Sequence, residues 1–233
     1  MDGTASENAN KRVFGPDFVR GMPEGQTIWM VSTEYDNITI WEECEPLGTQ
    51  PLKTEDVIEE LKAIPKNILN YVTSVVLSPF SSEADPALRK LFHDENSITV
   101  ADTNSYIKQI TIYAIPLSRS AAKQHISVHR TIQHEAGHII DYAIQARTPG
   151  TGYDLFSRDD EWTTAMNEDI KIKQAEKAEN GLPQFFITPY ADKMKWKQED
   201  FAEAVAIYSV ESNREPLKEY CPNRYKILEK ILK

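Results

Sequence analysis

With 233 residues, 40% hydrophobic and 27% charged side chains, the chain has room for one large domain or two small ones, and its balance is globular rather than disordered or fibrous. Its 36 acidic against 26 basic side chains leave a formal charge of -10. That charge argues against a nucleic-acid binder, because neutralising phosphates needs clustered Lys and Arg, and it favours neutral or basic partners.

Residues 1–25 are polar and rich in Gly and Pro, the pattern of a flexible arm. The segment TIWMVSTEYDNITIW, from Thr27 to Trp41, is β-branched and aromatic around a turn-like YDN, which predicts a hairpin. Thr54 can cap a helix over EDVIEELKAI, with Val57, Ile58, Leu61 and Ile64 at helical spacing before Pro65. SVVLSPF and YIKQITIYAI read as strands. A long helix is expected from Ser118 or Ser120 through HISVHRTIQHEAGHIIDYAIQAR to the breaker TPGTG. DDEWTTAMNEDIKIKQAEKAEN reads as a charged helix, PQFFITPYA as a short strand or extended loop, and QEDFAEAVAIYSV and REPLKEYCPNRYKILEKILK as closing helices. Strands first and helices second predict an α+β fold.

No window approaches the ~18 apolar residues of a membrane span, and MDGTASENANKR lacks the basic and apolar regions of a secretory signal. The sequence sets no location: secreted if a signal peptide has been removed, otherwise cytoplasmic. Cys44 and Cys221, near opposite ends, form no C-x-x-C pair and suggest neither redox chemistry nor a Cys-based zinc site.

The chemistry concentrates in HEAGH. On a helix, His134 and His138 project from one face a turn apart and can aim two imidazoles at one ion. Glu135 lies about 100° round the helix, beside that ion, where it can take a proton from water. Zn2+ takes nitrogen or oxygen ligands in a tetrahedral array with one position left open, and this pattern supplies two of the ligands and a general base. Gly137 is unfavourable in a helix interior by about 1 kcal/mol relative to Ala, which makes sense if another segment or the substrate approaches closely. The chain holds its own control: His125 and His129 are also four apart, but Ile126 stands where the base would be. These two, and His93, are read as packing, surface or loop residues.

The third ligand is less direct. A metzincin would continue with Gly and then His or Asp, whereas Asp141 and Ile144 occupy those positions, so the ligand must lie farther along. Glu168, Asp169, Glu176 and Glu179 stand among lysines on what reads as a solvated helix. Glu199 and Glu203 differ: they are i, i+4 neighbours in an otherwise apolar EDFAEAVAIY, where burial is costly without a metal or hydrogen bonds to compensate. Asp141, three residues after His138 on nearly the same face, can accept a hydrogen bond from a ligand histidine or make a surface contact.

HEAGH followed by EDFAEAVAIY resembles the catalytic domain of the anthrax lethal factor family, which includes the Pro-Pro endopeptidases, from about Tyr106 onward. The resemblance implies a zincin-like α+β fold of the gluzincin type, with a small mixed sheet packed on the active-site helix and a helical second half. It further implies a single metallopeptidase domain over 26–233 acting on a protein or peptide substrate. By the family's register, Glu199 is the zinc ligand with His134 and His138, Glu203 supports the ligand histidines, and Tyr190 assists catalysis beside the base Glu135. An extended substrate is expected to pair along an exposed edge of YIKQITIYAI. Two rivals are a non-catalytic zinc-containing binding module, such as a virion or toxin component, and a peptide deformylase. Glu135 counts against the first, and Cys44, in EECEPLG, lacks the motif for the second. The sequence sets no oligomeric state.

Overall fold

The computed structural model describes residues 10–44, 52–82, 99–114, 128–146, 155–180, 187–188, 190–191 and 196–233. These form two compact units, Met1–Lys62 with Val72–Ile132, and Ala63–Tyr71 with Gln133–Lys233. The expected α+β class holds, with a six-stranded mixed sheet in the first half and helices in the second.

In the first unit the sheet has the order β1-β2-β3-β4-β6-β5. Its strands are β1 (Lys11–Phe14), β2 (Ile28–Tyr35), β3 (Ile38–Glu43), β4 (Ser74–Ser78), β5 (Ala101–Asn104) and β6 (Gln109–Tyr113). The predicted hairpin is β2 and β3, paired from Met30 with Glu43 to Tyr35 with Ile38, and Asp36 takes a left-handed φ of 50° in its turn. β4 runs parallel to both β3 and β6. These central strands are continuous buried runs, SVVLS and QITIY, as strands covered on both faces must be. Helix α1 (Thr54–Ala63) begins at the predicted residue and buries Val57 and Leu61. The amide of Thr54 donates to Glu42 Oε2 at the end of β3.

Two expectations are corrected here. β6 is not an exposed edge, because β4 bonds one side of it and β5 the other; the outermost strands are β1 and β5. The opening residues, from Lys11 on, are not a flexible arm. β1 pairs with β2, and Val19 and Met22 are buried with Met30, Trp41 and Val76. Phe14 stacks on Phe18 with ring centres 4.0 Å apart, and its edge meets Trp41 at 4.8 Å. Ser78 donates to the Arg20 carbonyl, Gln109 to that of Phe18, and Arg20 pairs with Asp102. Glycine counts disguised a segment that crosses the sheet with apolar side chains between its turns. Residues 1–9 lie outside the described residues.

The second unit is helical: α2 (Lys66–Leu69), α3 (Val128–Gln145, which begins in the first unit), α4 (Asp160–Asn180), α5 (Lys197–Ser209), α6 (Arg214–Tyr220) and α7 (Pro222–Ile231). α3 buries Ile132, Ala136, Ile139, Ile140 and Ala143 on one stripe. Its expected start at Ser118 or Ser120 lies outside the described residues, as do His93 and His125. Of the two readings of PQFFITPYA, a short strand or an extended loop, its described part shows no strand: Ile187 and Thr188 form a bend and Tyr190 and Ala191 are helical.

Gly21 tests the corrected opening segment. It has a φ of +82°, and a Cβ there would lie 3.1 Å from both Phe80 Cβ and the Ser81 carbonyl oxygen. Gly21→Ala should destabilise the protein by about 1–3 kcal/mol in denaturant melts, through backbone strain and crowding together. Gly25, with φ +79° and open space around it, is the control and should show only the backbone part. Equal, negligible effects would restore the flexible arm.

Candidate metal centre

Every residue of this centre belongs to the second unit. α5 is buried almost all round, from Glu199 to Ala206, and three of those residues are acidic. A buried carboxylate needs a cation or donors, so each of the three must be accounted for.

What brings α5 to α3 is Gly137. A Cβ built there would lie 2.7 Å from Ala202 Cα and 3.0 Å from its carbonyl oxygen, both backbone atoms that cannot swing away. Glycine in HEAGH therefore permits backbone-to-backbone contact between the two helices. Ala202 stands between Glu199 and Glu203 in sequence, so the contact delivers both carboxylates to the histidine face. On the far side of α5, Phe201 packs edge-on against Trp162 of α4, with ring centres 4.8 Å apart.

His134 is held at both nitrogens. Its Nδ1 lies 2.9 Å from Glu203 Oε1, and since a carboxylate only accepts, Nδ1 carries the proton. Its Nε2 faces Glu199 Oε2 at 3.2 Å, while His138 Nε2 lies 3.7 Å from Glu199 Oε1. One donor atom from each of His134, His138 and Glu199 falls within 4.8 Å of the others, the one such set among the described residues.

These side chains fit a zinc ion on their own chemistry. Glu199 Oε2 is buried and makes no hydrogen bond, an orphan that a cation would satisfy. Burial opposes a charge on His134, but the facing carboxylates of Glu199 and Glu203 outweigh it and raise its pKa to about 10. The carboxylates thus demand positive charge at this ring. Burial, followed by the neighbouring His134, lowers His138 to about 4, which keeps it in the neutral form that ligates metals. Burial would raise Glu199, yet the two histidines bring it below its ordinary value, leaving it ionised.

Glu135 is buried on α3, and its charge acts on both His134 and Tyr190. The Tyr190 ring meets the His134 ring edge-on, with centres 5.6 Å apart. Burial of the hydroxyl and the charges of Glu199 and Glu135 push its pKa up, so this half-exposed phenol stays a donor. The structure therefore brings together His134, Glu135, His138, Tyr190, Glu199 and Glu203.

Asp141 is not among them. Its Oδ1 accepts the Ser157 amide at 2.6 Å, fixing the turn before α4 rather than a ligand histidine, and burial pushes its pKa up to about 6. One further residue differs from expectation. Asp169 is fully buried rather than solvated, and Asp200, beside Glu199 on α5, is fully buried as well. The signal for Asp169 was its place seven residues after Trp162 on a stripe with Ala165 and Met166, all buried.

A buried Glu reaching an H-E-x-x-H helix, on a mixed α+β scaffold, defines a zinc metallopeptidase centre. A family model described as "Putative zinc-binding metallo-peptidase" matches residues 45–223, and the chain belongs to that family. No curated protein matches it in sequence. Among solved structures it is similar to the Pro-Pro endopeptidase of Paenibacillus alvei, with 16% identity and a TM-score of 0.51, over 84% of this chain and 97% of that one. At that identity the likeness is one of fold.

Gly137→Ala sets two effects against each other. Helix propensity would gain about 1 kcal/mol, whereas overpacking against backbone costs about 1–3 kcal/mol. The immovable Ala202 backbone decides for the second. The variant should melt at lower temperature and bind zinc at least about 10-fold more weakly in chelator competition, as when a ligand loses its support. Unchanged zinc affinity would show that the contact does not set the ligand geometry.

Proposed function

We propose that the protein is a zinc-dependent endopeptidase in which His134, His138 and Glu199 hold the ion, Glu135 is the general base and Tyr190 assists. The observation that carries this reading is the two-sided hold on His134, with Nε2 toward Glu199 and Nδ1 bonded to Glu203. The family register of E-D-F-A-E gives the same roles, and it is the ground for placing the chain beside the lethal factor and Pro-Pro endopeptidase catalytic domains. The family model spans both compact units, which supports reading 26–233 as one peptidase domain.

A zinc ion held by His134, His138 and Glu199 would supply a Lewis acid for the scissile carbonyl and the attacking water. Glu135 would take the proton of the attacking water as its oxygen adds to the carbonyl carbon, and would deliver it to the leaving nitrogen as the C–N bond breaks. The Tyr190 hydroxyl donates to the oxyanion that develops on the carbonyl oxygen. Glu203 fixes the tautomer of His134 by accepting from Nδ1. The substrate is a protein or peptide. An intact buried base beside the ligands favours this reading over a non-catalytic zinc module, which has no use for it.

Purified protein should carry about one zinc per chain, as expected for a three-ligand catalytic site, and should cleave members of a peptide library that includes Pro-Pro sequences. Glu135→Gln should retain zinc and lose cleavage. Zinc-loaded Glu135→Gln with activity close to wild type would sink the hydrolytic mechanism.

Glu199→Ala and Glu203→Ala separate ligand from support. Glu199→Ala should release zinc, while Glu203→Ala should weaken affinity or activity by about 10- to 100-fold. Chelator competition gives the ranking, and the reverse order would shift the register by one helical turn.

A further inference from the structure

Asp200 follows the proposed ligand Glu199 and points about 100° away from it round α5, into a fully buried ionic cluster. Arg224 Nη1 donates to Asp200 Oδ1 at 2.6 Å and Oδ2 at 2.7 Å. Arg224 Nε donates to Asp169 Oδ2 at 3.1 Å, and Asp169 Oδ1 accepts from the backbone and side chain of Asn223. One guanidinium thus ties α4, α5 and α7 together. Asp200 has a further bond: its Oδ1 accepts the Ile187 amide at 2.9 Å. Ile187 opens the short stretch that carries Tyr190, and on the other side of Tyr190 the Ala191 amide donates to Thr188 Oγ1 at 3.2 Å. Ala191 itself is fully buried.

We infer that Asp200, held by Arg224, is a positioning residue that fixes Tyr190 against the metal ligands through the amide of Ile187. The same helix turn then sets two parts of the site: Glu199 on the metal side and, through Asp200, the phenol that approaches from outside α5. A salt bridge serving packing alone would not need the Ile187 bond. The inference rests on the peptidase reading for what Tyr190 does, but not for where Asp200 holds it.

Zinc-loaded wild type, Asp200→Asn and Asp200→Ala are compared by amide hydrogen exchange and by peptide cleavage. Asn keeps an acceptor for Ile187, so protection of that amide should persist in it and fall in Asp200→Ala by at least about 10-fold, the loss expected for one removed hydrogen bond. Asp200→Ala should lower kcat by about 10- to 100-fold, while KM and zinc affinity stay within about 3-fold. In a Tyr190→Phe background the same change should be nearly silent, because both substitutions remove one function. Should Asp200→Ala not fold, Ile187→Pro deletes the donated N–H and leaves the Arg224 pair in place, with the same kinetic result expected. Unchanged Ile187 protection in Asp200→Ala, full additivity with Tyr190→Phe, or wild-type kcat in Ile187→Pro would overturn the inference. The exchange arm needs no cleavage, so an inactive wild type would count against the peptidase reading alone.

Discussion

The contact between Gly137 and Ala202 is the constraint on which the rest of the second unit depends. Side chains normally keep packed helices about 8–10 Å apart, and the missing Cβ at Gly137 lets the α5 backbone come nearer, to where one added carbon would meet Ala202 Cα at 2.7 Å. A carboxylate on a side chain as short as glutamate can then reach His134 and His138 while remaining buried. The helix-propensity cost of glycine, about 1 kcal/mol, is small beside the ligand geometry it permits.

That approach buries three acidic residues on α5, and each is answered differently. Glu203 accepts a proton-bearing nitrogen, Asp200 meets a guanidinium, and Glu199 faces two imidazole nitrogens with one oxygen left without a hydrogen bond. The first two are complete as protein interactions, and the third is complete only with a cation. Charge bookkeeping agrees: Glu135, Glu199 and Glu203 around two histidines carry three negative charges, which a divalent ion reduces to one. About 100° round α5 from Glu199, Asp200 shares a single arginine with Asp169 of α4. Removing that arginine would leave buried charge uncompensated, a change that is strongly destabilising in general.

The parts legible in the sequence were those where periodicity and chemistry coincide. HEAGH declares itself because two histidines one turn apart have a metal reading that few other patterns share, and Gly137 was legible as a close approach without revealing its partner. The β2–β3 hairpin and α1 followed from alternation, a turn and helical spacing, whereas the expected Thr54 cap is not made, its buried Oγ1 having no hydrogen bond. Other features failed for physical reasons. β1 was hidden because glycines, prolines and polar residues break up residues 1–25 and leave no apolar period, while Phe14, Phe18, Val19 and Met22 make the packing. β5 is four residues, ADTN, whose strand state comes from pairing with β6 rather than from its own preference. Asp169 read as a surface charge because its partner, Arg224, is 55 residues away. Asp141 reads equally well as a histidine partner or a surface contact, and its bond to the Ser157 amide, 16 residues away, was not legible.

A zinc ion held by two histidines and one glutamate has a distinct signature in X-ray absorption at the zinc edge. The predicted result is about one zinc per chain with a nitrogen and oxygen shell at about 2.0–2.2 Å, including the scattering signature of two imidazoles. A sulfur shell near 2.3 Å, which would bring in Cys44 or Cys221, or a spectrum without imidazole, would contradict it.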